Sequence, residues 1–251
     1  MVTTDNETLE DDPADEVDAV LAVETPITVA GVTVADPAAR VLRYLYDHAR
    51  TVRRYDMTAG HYEAVTQELI AATRVLASRI SDNQATWLID RAKTAPWDLV
   101  PRHSDLANAD PCQRHGLYDH ASELFAHFRS AAPKGIKAAK IYKVLHLMRP
   151  ELFPILDSRL AARYDLSAKQ AAHAVNVCRD DLPTSKYAYW AAIRQDLLNN
   201  TSALAAVRDS LTATDDPFIV EAIGRLSDVR ILDIITWVAA DNDSTPSPED
   251  L

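Results

Sequence analysis

The segment from Arg129 to Arg163 contains the side chains most suited to bind a ligand or to take part in chemistry. It carries eight basic residues against two acids, a net charge of +6 in 35 residues of a chain whose formal net charge is −11. The basic residues are Arg129, Lys134, Lys137, Lys140, Lys143, Arg149, Arg159 and Arg163. Cations at this density, together with the backbone amides of a helix start near Gly135, would hold phosphate groups. The alternative is a solvated helix face whose charges pair with neighbouring carboxylates.

Two further residues of this segment have both a binding and a structural interpretation. His146 either contacts a ligand or lies hydrogen-bonded beneath its helix. Arg149, which precedes Pro150, either contacts a phosphate or caps the last carbonyls of the helix. The sequence alone leaves both alternatives open.

The element that must position these residues is a helix predicted over residues 136–147. Its apolar side chains recur at helical spacing and should face the core. These are Ile141, Val144, Leu145 and Met148. The lysines at 134, 137, 140 and 143 recur every third residue and therefore spread around the helix instead of forming one stripe.

The rest of the chain also predicts helices, and the fold class is all-α, a globular multi-helix bundle. Asp36 and Pro37 begin the first helix as N-cap and first helical residue. The predicted helices span 37–50, 61–77, 82–93, 118–129, 136–147, 158–164, 167–177, 184–198, 202–211 and 217–240, the last broken near Ser227. A short extended arm precedes them at about residues 25–36. We expect one domain over residues 25–240, between disordered acidic tails at 1–24 and 241–251.

Composition and charge exclude several classes of function. Five glycines are too few and too scattered for a glycine-rich phosphate cradle, so no nucleotide cofactor is expected. His120, Glu123 and His127 lie at helical spacing but lack a further ligand nearby, so no metal site is expected. Residues 37–240 hold all 26 basic residues and 23 acids, which leaves this part at +3 and concentrates the negative charge in the tails. Such tails keep a protein soluble, or they imitate DNA and compete for a basic face.

The cysteine count and the N-terminus indicate the compartment. Cys112 and Cys178 are too few for a disulfide scaffold, and we expect free thiols in a reducing environment. No basic segment followed by an apolar one resembles a signal peptide, and no apolar run approaches the ~20 residues that cross a bilayer. The expected location is the cytoplasm, without membrane partners.

Two motifs resemble an uncharacterised family of actinobacterial proteins. The run KGIKAAKIYKVLHLMRPELFPILDSRL resembles its Lys-Leu-Leu, Arg-Pro and Pro-Val-x-Asp pattern, at Lys143, Val144, Leu145, Arg149, Pro150, Pro154, Ile155 and Asp157. The run LSDVRILDIITW resembles its Leu-Arg-x-Leu-Asp-x-x-x-Trp pattern, at Val229, Arg230, Leu232, Asp233 and Trp237. The resemblance covers about residues 37–240 and implies no established activity. By spacing alone, Arg230, Asp233 and Trp237 suit a buried ion pair and a core aromatic.

The first motif is also similar to the core of helix-hairpin-helix DNA glycosylases, which implies a glycosylase-like fold. Gly135 and Ile136 match the first positions of the hairpin that grips a DNA phosphate, and Asp157 matches the catalytic aspartate. The resemblance implies that this aspartate stabilises the positively charged sugar or activates the nucleophile. Lys137 departs from the second hairpin glycine, and Ala139 replaces the lysine of lyase-type enzymes, so a monofunctional hydrolase is implied.

The function expected from the sequence is therefore nucleic-acid binding with base excision. Asp157 is the candidate catalytic residue. The candidate nucleic-acid-binding residues are Lys134, Gly135, Lys137, Lys140, Lys143, His146 and Arg149. Asp157 has an equally strong structural interpretation as the N-cap of the following helix. The alternatives for the whole chain are a non-catalytic domain that binds a protein partner on the same fold, and an enzyme acting on a nucleotide-sized anion beside Lys140 and Lys143.

Overall fold

The computed structural model describes residues 25–179, 181 and 186–242. Within these residues the chain is mostly helical, as predicted, with twelve α-helices and one two-stranded sheet. The tail predicted at 1–24 lies outside the described residues, and so does the part of the tail predicted at 241–251 that follows Asn242. No helix among the described residues combines the length and the apolar character needed to cross a membrane.

The elements follow one another in a simple order. The strands are β1 (Ile27–Val29) and β2 (Val32–Val34). The helices are α1 (Pro37–Asp47), α2 (Ala49–Arg54), α3 (Gln67–Thr73), α4 (Asp82–Ala92), α5 (Leu117–Arg129), α6 (Ala138–Met148), α7 (Ser158–Arg163), α8 (Asp165–Cys178), α9 (Tyr189–Asn199), α10 (Thr201–Thr212), α11 (Pro217–Arg225) and α12 (Asp228–Asn242). Short 3₁₀ turns cover Asp56–Thr58, Arg74–Leu76, Trp97–Leu99 and Leu106–Asn108.

Local sequence signals explain where several helices begin. Ser81 and Gln84 form a capping box at the start of α4, in which each side chain bonds the backbone amide of the other residue. Asp216 accepts a hydrogen bond from the amide of Phe218, and Pro217 occupies the first turn of α11. The predicted break near Ser227 is confirmed, because α11 ends at Arg225 and α12 begins at Asp228.

The C-terminal helix α12 is the centre of the core. Ile231, Leu232, Ile234 and Ile235 are fully buried, so this helix is apolar around most of its circumference. It packs against α1, α7 and α9. The buried face predicted for α6 is confirmed, with Ile141 and Leu145 fully buried. Helices from both ends of the chain thus meet around α12.

The predicted N-terminal arm is a β-hairpin fixed to α9. Ala30 and Gly31 make the turn with positive φ angles, and Ile27 and Val29 are fully buried. Asn200 bonds both the amide and the carbonyl of Thr28, and the amide of Ala30 donates to the Asp196 carboxylate. Because the backbone is held through side chains of the body, the hairpin is part of the packed structure.

The prediction of free thiols is wrong, because Cys112 and Cys178 form a disulfide. The bond joins the loop before α5 to the end of α8, across a sequence separation of 66 residues. Next to it, the buried guanidinium of Arg179 pairs with Asp119 and Asp181. The two cysteines lie in segments whose proximity depends on the tertiary fold, which the spacing in the sequence does not reveal.

Candidate functional site

A cavity of about 260 Å³ lies where α1, α2, α6, α7 and α12 meet. Its lining joins the two sequence motifs to residues from the N-terminal helices. The lining residues are Tyr44, His48, Thr51, Val75, Leu76, Lys143, Ile155, Asp157, Leu160, Arg230, Asp233, Ile234 and Trp237. Charged groups and aromatic rings therefore share one small, partly enclosed space.

The lining residues differ in depth. His48, Lys143, Asp157 and Trp237 are partly exposed and surround the opening. The floor is buried and is formed by Tyr44, Ile155, Leu160, Arg230, Asp233 and Ile234. A ligand that entered would thus meet one set of polar groups at the opening and a second set at the floor.

Asp157 both caps a helix and lines the cavity. Its Oδ1 accepts hydrogen bonds from the amides of Arg159 (3.0 Å) and Leu160 (2.9 Å) at the start of α7. Its Oδ2 has no hydrogen-bond partner among the described residues. The cap fixes the orientation of the carboxylate and leaves one oxygen for a ligand, so the structural and the functional interpretation are compatible.

Lys143 supplies a cation at the opening. Its Nζ donates to the carbonyl of Leu76, at the end of the 3₁₀ turn between α3 and α4. Partial burial lowers the pKa of Lys143, an effect that the charge of Asp157 opposes and that of Arg230 reinforces. Lys143 and Asp157 therefore act on each other electrostatically within the cavity.

Arg230 is held on the floor by a buried ion pair. Its Nε donates to Asp56 Oδ1 at 2.7 Å, and its Nη2 donates to the Tyr44 hydroxyl at 2.6 Å. Burial alone would lower the pKa of Arg230, but the charge of Asp56 and its hydrogen bond, together with the charges of Tyr44 and Asp233, outweigh burial and raise the pKa. Arg230 Nη1 has no partner among the described residues. The spacing in the sequence predicted a buried ion pair between Arg230 and Asp233. Arg230 does form a buried ion pair, but its acid is Asp56, 174 residues earlier in the chain.

Asp233 is the second carboxylate of the cavity and is 3% exposed. Its Oδ2 accepts a hydrogen bond from the amide of Ile155 at 2.8 Å. Burial raises the pKa of Asp233 to about 7, although the charge of Arg230 opposes the rise. Near neutral pH this carboxyl group therefore exchanges between its acidic and its ionised form.

Three rings form one wall of the cavity, which runs from His48 and Trp237 at the opening to Tyr44 at the floor. The ring centroids of Tyr44 and His48 are 4.8 Å apart, and those of His48 and Trp237 are 5.5 Å apart. The Arg159 guanidinium lies over the Trp237 ring at 4.6 Å and helps to hold that ring in place. A planar ligand would find aromatic surface here.

The remaining exposed residues of the basic segment lie outside the cavity lining. Gly135 has a φ of +91°, in the left-handed region that favours glycine, and the Gln84 amide bonds the neighbouring carbonyl of Lys134. Lys137 is exposed and is the N-cap residue of α6. Lys140 Nζ donates to the Arg79 carbonyl and to Gln84 Oε1. Lys143 and Asp157 meet at the cavity, whereas Gly135 does not line it.

His146 and Arg149 are buried in the body of the protein. His146 Nδ1 donates to the Phe153 carbonyl at 2.8 Å, and its ring stacks on Tyr55. Burial, reinforced by the charge of Arg230, lowers the pKa of His146 to about 3, so the ring is neutral. Arg149 donates to the carbonyls of Val100 and Met148 and lies over the Trp97 ring. Both side chains are thus committed to internal contacts.

Sequence reasoning missed the contribution of the N-terminal helices. Tyr44, His48 and Thr51 carry no recognisable motif, and their position beside α12 depends on the tertiary fold. The second motif gave a usable signal, because Arg230, Asp233 and Trp237 combine a base, an acid and an aromatic ring within two helical turns. Among the described residues, no three His, Cys, Asp or Glu side chains are grouped so as to hold a metal ion.

Comparison with known proteins adds a family but no activity. Neither the curated proteins nor the solved structures include a match to this chain. The model of a family of unknown function (DUF6308) matches residues 37–240, from the first residue of α1 into α12. The chain therefore belongs to this family of unknown function.

Proposed function

We propose that this chain binds DNA and takes a single extrahelical base into the cavity, where Asp157 promotes its excision. The observation that carries the proposal is the placement of Asp157: one oxygen fixed by the start of α7, the other without a partner, beside the cations Lys143 and Arg230. An oriented carboxylate of this kind can stabilise a positively charged sugar as the base departs.

The size and chemistry of the cavity suit one base. Its volume of about 260 Å³ is smaller than the ~300–1,000 Å³ of pockets for drug-sized ligands. Extruded bases are held by aromatic stacking and by hydrogen bonds to their edges. The wall formed by Tyr44, His48 and Trp237 offers aromatic surface for stacking. Asp157, Arg230 and Asp233 offer hydrogen-bonding groups for the base edges.

The segment between α5 and α6 supports a phosphate-binding hairpin of the helix-hairpin-helix type. Gly135 has the positive φ that a tight hairpin requires, and Lys137, at φ −104°, carries its side chain without backbone strain. The ammonium groups of Lys134 and Lys137 have no hydrogen-bond partner among the described residues and are available to a phosphate backbone.

Salt-dependent binding tests the DNA interaction. We expect affinity for a short duplex, measured by fluorescence anisotropy, to fall steeply as salt rises, because bound phosphates release counterions. The double variant Lys134→Ala/Lys137→Ala should bind more weakly and with a shallower salt slope. Lys93→Ala is the control. Lys93 is exposed and pairs with Asp90 at the C-terminal end of α4, whereas Lys134 lies beside Gln84 at the start of that helix. Binding that is absent, or unchanged by the double variant, refutes this part of the proposal.

Asp157→Asn tests excision. Asparagine caps a helix about as well as aspartate, so this variant removes the charge and keeps the cap. We expect it to bind DNA normally and to release at least ~100-fold less base from duplexes carrying uracil, hypoxanthine or 7-methylguanine. Asp157→Ala also loses the cap and should be less stable by ~1 kcal/mol. Equal base release by wild type and Asp157→Asn would remove Asp157 from the reaction.

A second candidate function is a non-catalytic domain that binds a protein partner. It is favoured by the internal use of the basic segment, since Lys140, Lys143 and Arg149 all donate to backbone carbonyls. In addition, α8 exposes Leu166 and Val177, three turns apart, by 67% and 76%. This candidate predicts no salt-dependent DNA binding and no released base, so the same two experiments separate it from the first.

A further inference from the structure

The two carboxylates of the cavity differ in depth and in hydrogen bonding. Asp157 is partly exposed at the opening, and its Oδ1 accepts the hydrogen bonds of the helix cap. Asp233 is buried on the floor, and its Oδ2 accepts a hydrogen bond from the amide of Ile155. Each keeps one oxygen without a partner among the described residues, and both line the same space. A ligand in the cavity would therefore contact an acid at each end.

The surroundings of Asp233 favour its protonated form. It is buried, and Arg230, whose positive charge acts on it, is already paired with Asp56. Burial raises the pKa of Asp233 to about 7, and the charges of Asp157 and Asp56 add to the effect. The charged or titratable groups that act on it are Arg230 on its own helix, Asp157, Asp56, Tyr44, Tyr55 and Tyr164, while Lys143 and His48 line the same cavity.

We propose that Asp233 is a second catalytic residue, the floor carboxyl group that gives its proton to the departing base. The role rests on the proposed function. The bond between the sugar carbon and the base nitrogen breaks and its electron pair leaves with the base. A nitrogen or oxygen on the far edge of the base, which reaches the floor, takes the proton of Asp233, so the base departs as a neutral tautomer. Water then bonds to the sugar carbon and passes a proton to Asp157. Return of that proton to Asp233 restores both carboxyl groups.

The depth of the two acids assigns their roles. A base bound against Tyr44, His48 and Trp237 would reach the floor, while its sugar stays near the opening with the DNA strand. The proton donor must then be the deep acid, and the carboxylate that faces the positive sugar must be the outer one. Pairs of carboxyl groups whose surroundings separate their pKa values divide acid and base roles in this way.

Asp233→Asn tests the proposal. The asparagine carbonyl can still accept the hydrogen bond from Ile155, but the side chain has no acidic proton. The assay is single-turnover base release between pH 5.5 and 9 from duplexes carrying uracil, hypoxanthine or 7-methylguanine. For the neutral bases we expect the wild-type rate to fall about tenfold per pH unit above pH ~7, and the variant to be ~100-fold slower with no such fall. The cationic 7-methylguanine needs no proton, so its release should change little.

The outcomes separate this role from the proposed function. If bases are released and Asp157→Asn stops the release, but Asp233→Asn keeps the wild-type pH profile, the role of Asp233 is overturned and the function stands. Equal slowing for neutral and cationic bases also overturns it, because a structural defect would act on both. A wild-type rate that is constant from pH 6 to 9 decides against it without any variant. If no duplex loses a base, the function and the role of Asp233 fail together.

Discussion

At the scale of single residues, the ion pair between Asp56 and Arg230 dominates the floor of the cavity. Both side chains are at least nine-tenths buried, and the Tyr44 hydroxyl bonds to both of them. Two charges lose their hydration in such a site, and each then depends on the other. Loss of one partner is therefore far more costly than the pair's modest net contribution to folding.

Asp56→Ala should lower the free energy of unfolding by ~3–5 kcal/mol, because it leaves the buried guanidinium of Arg230 without its counter-charge. Urea denaturation measures the effect. Asp82→Ala is the control: its ion pair with Arg74 lies on the exposed surface, and such pairs contribute only ~0–1 kcal/mol. Similar losses in the two variants would contradict the importance given to burial.

His146 makes the protein sensitive to acid. Its pKa is about 3 in the folded state and ~6.5 in the unfolded state. Because the folded-state pKa is lowered, the stability it contributes is present above pH ~6.5 and is lost as the pH falls toward 3. Between pH 6.5 and 4.5 we expect a loss of about 2 kcal/mol from this residue alone.

The matched variant for this prediction is His146→Asn, whose amide can donate to the Phe153 carbonyl but cannot ionise. It loses the contact with Tyr55 and should be less stable at neutral pH, yet its stability should fall about 2 kcal/mol less between pH 6.5 and 4.5. His103→Asn, at an exposed histidine, should follow the wild type. Parallel curves for wild type and His146→Asn would refute the assignment.

At the scale of elements, the sequence predicts the bounds of several helices to within one residue. Residues 118–129 were predicted as a helix and form Leu117–Arg129, and the predicted cap at Asp157 is present. The prediction of a helix over 61–77 is wrong at both ends. Thr66 caps α3, which begins at Gln67, and Ala77 and Arg79 take positive φ angles that stop the chain from continuing. The hydrophobic spacing alone does not indicate either helix boundary.

Some residues of the candidate site could also be predicted from the sequence, and others could not. Lys143 and Asp157 belong to one continuous motif, so their joint presence at the cavity follows from neighbouring elements. Asp56 and Arg230 meet across 174 residues, and no local signal links them. Which helices pack together depends on the whole core, and the local patterns of a single sequence do not specify that arrangement.

At the scale of the whole molecule, the disulfide between Cys112 and Cys178 restrains the chain. It crosses a separation of 66 residues that includes α5, α6, α7 and α8. A link across a loop of this length removes conformational freedom from the unfolded chain and is worth up to ~4 kcal/mol.

The double variant Cys112→Ser/Cys178→Ser should therefore melt roughly 10 °C lower than the oxidised wild type. Differential scanning calorimetry measures this difference. A thiol reductant should lower the melting temperature of the wild type and leave that of the double variant unchanged. A wild type that does not respond to complete reduction would show that the link contributes nothing to stability.

The disulfide also makes a closed ring of the segment that supplies Lys143 and Asp157, while Tyr44 lies on one open arm of the chain and Arg230 on the other. A protease that cuts once within the ring leaves a single covalent molecule that still carries every wall of the cavity. A cut between Tyr44 and Cys112, or between Cys178 and Arg230, frees a fragment with part of the lining. Electrophoresis of partly digested protein, with and without reductant, would distinguish the two kinds of nicked product.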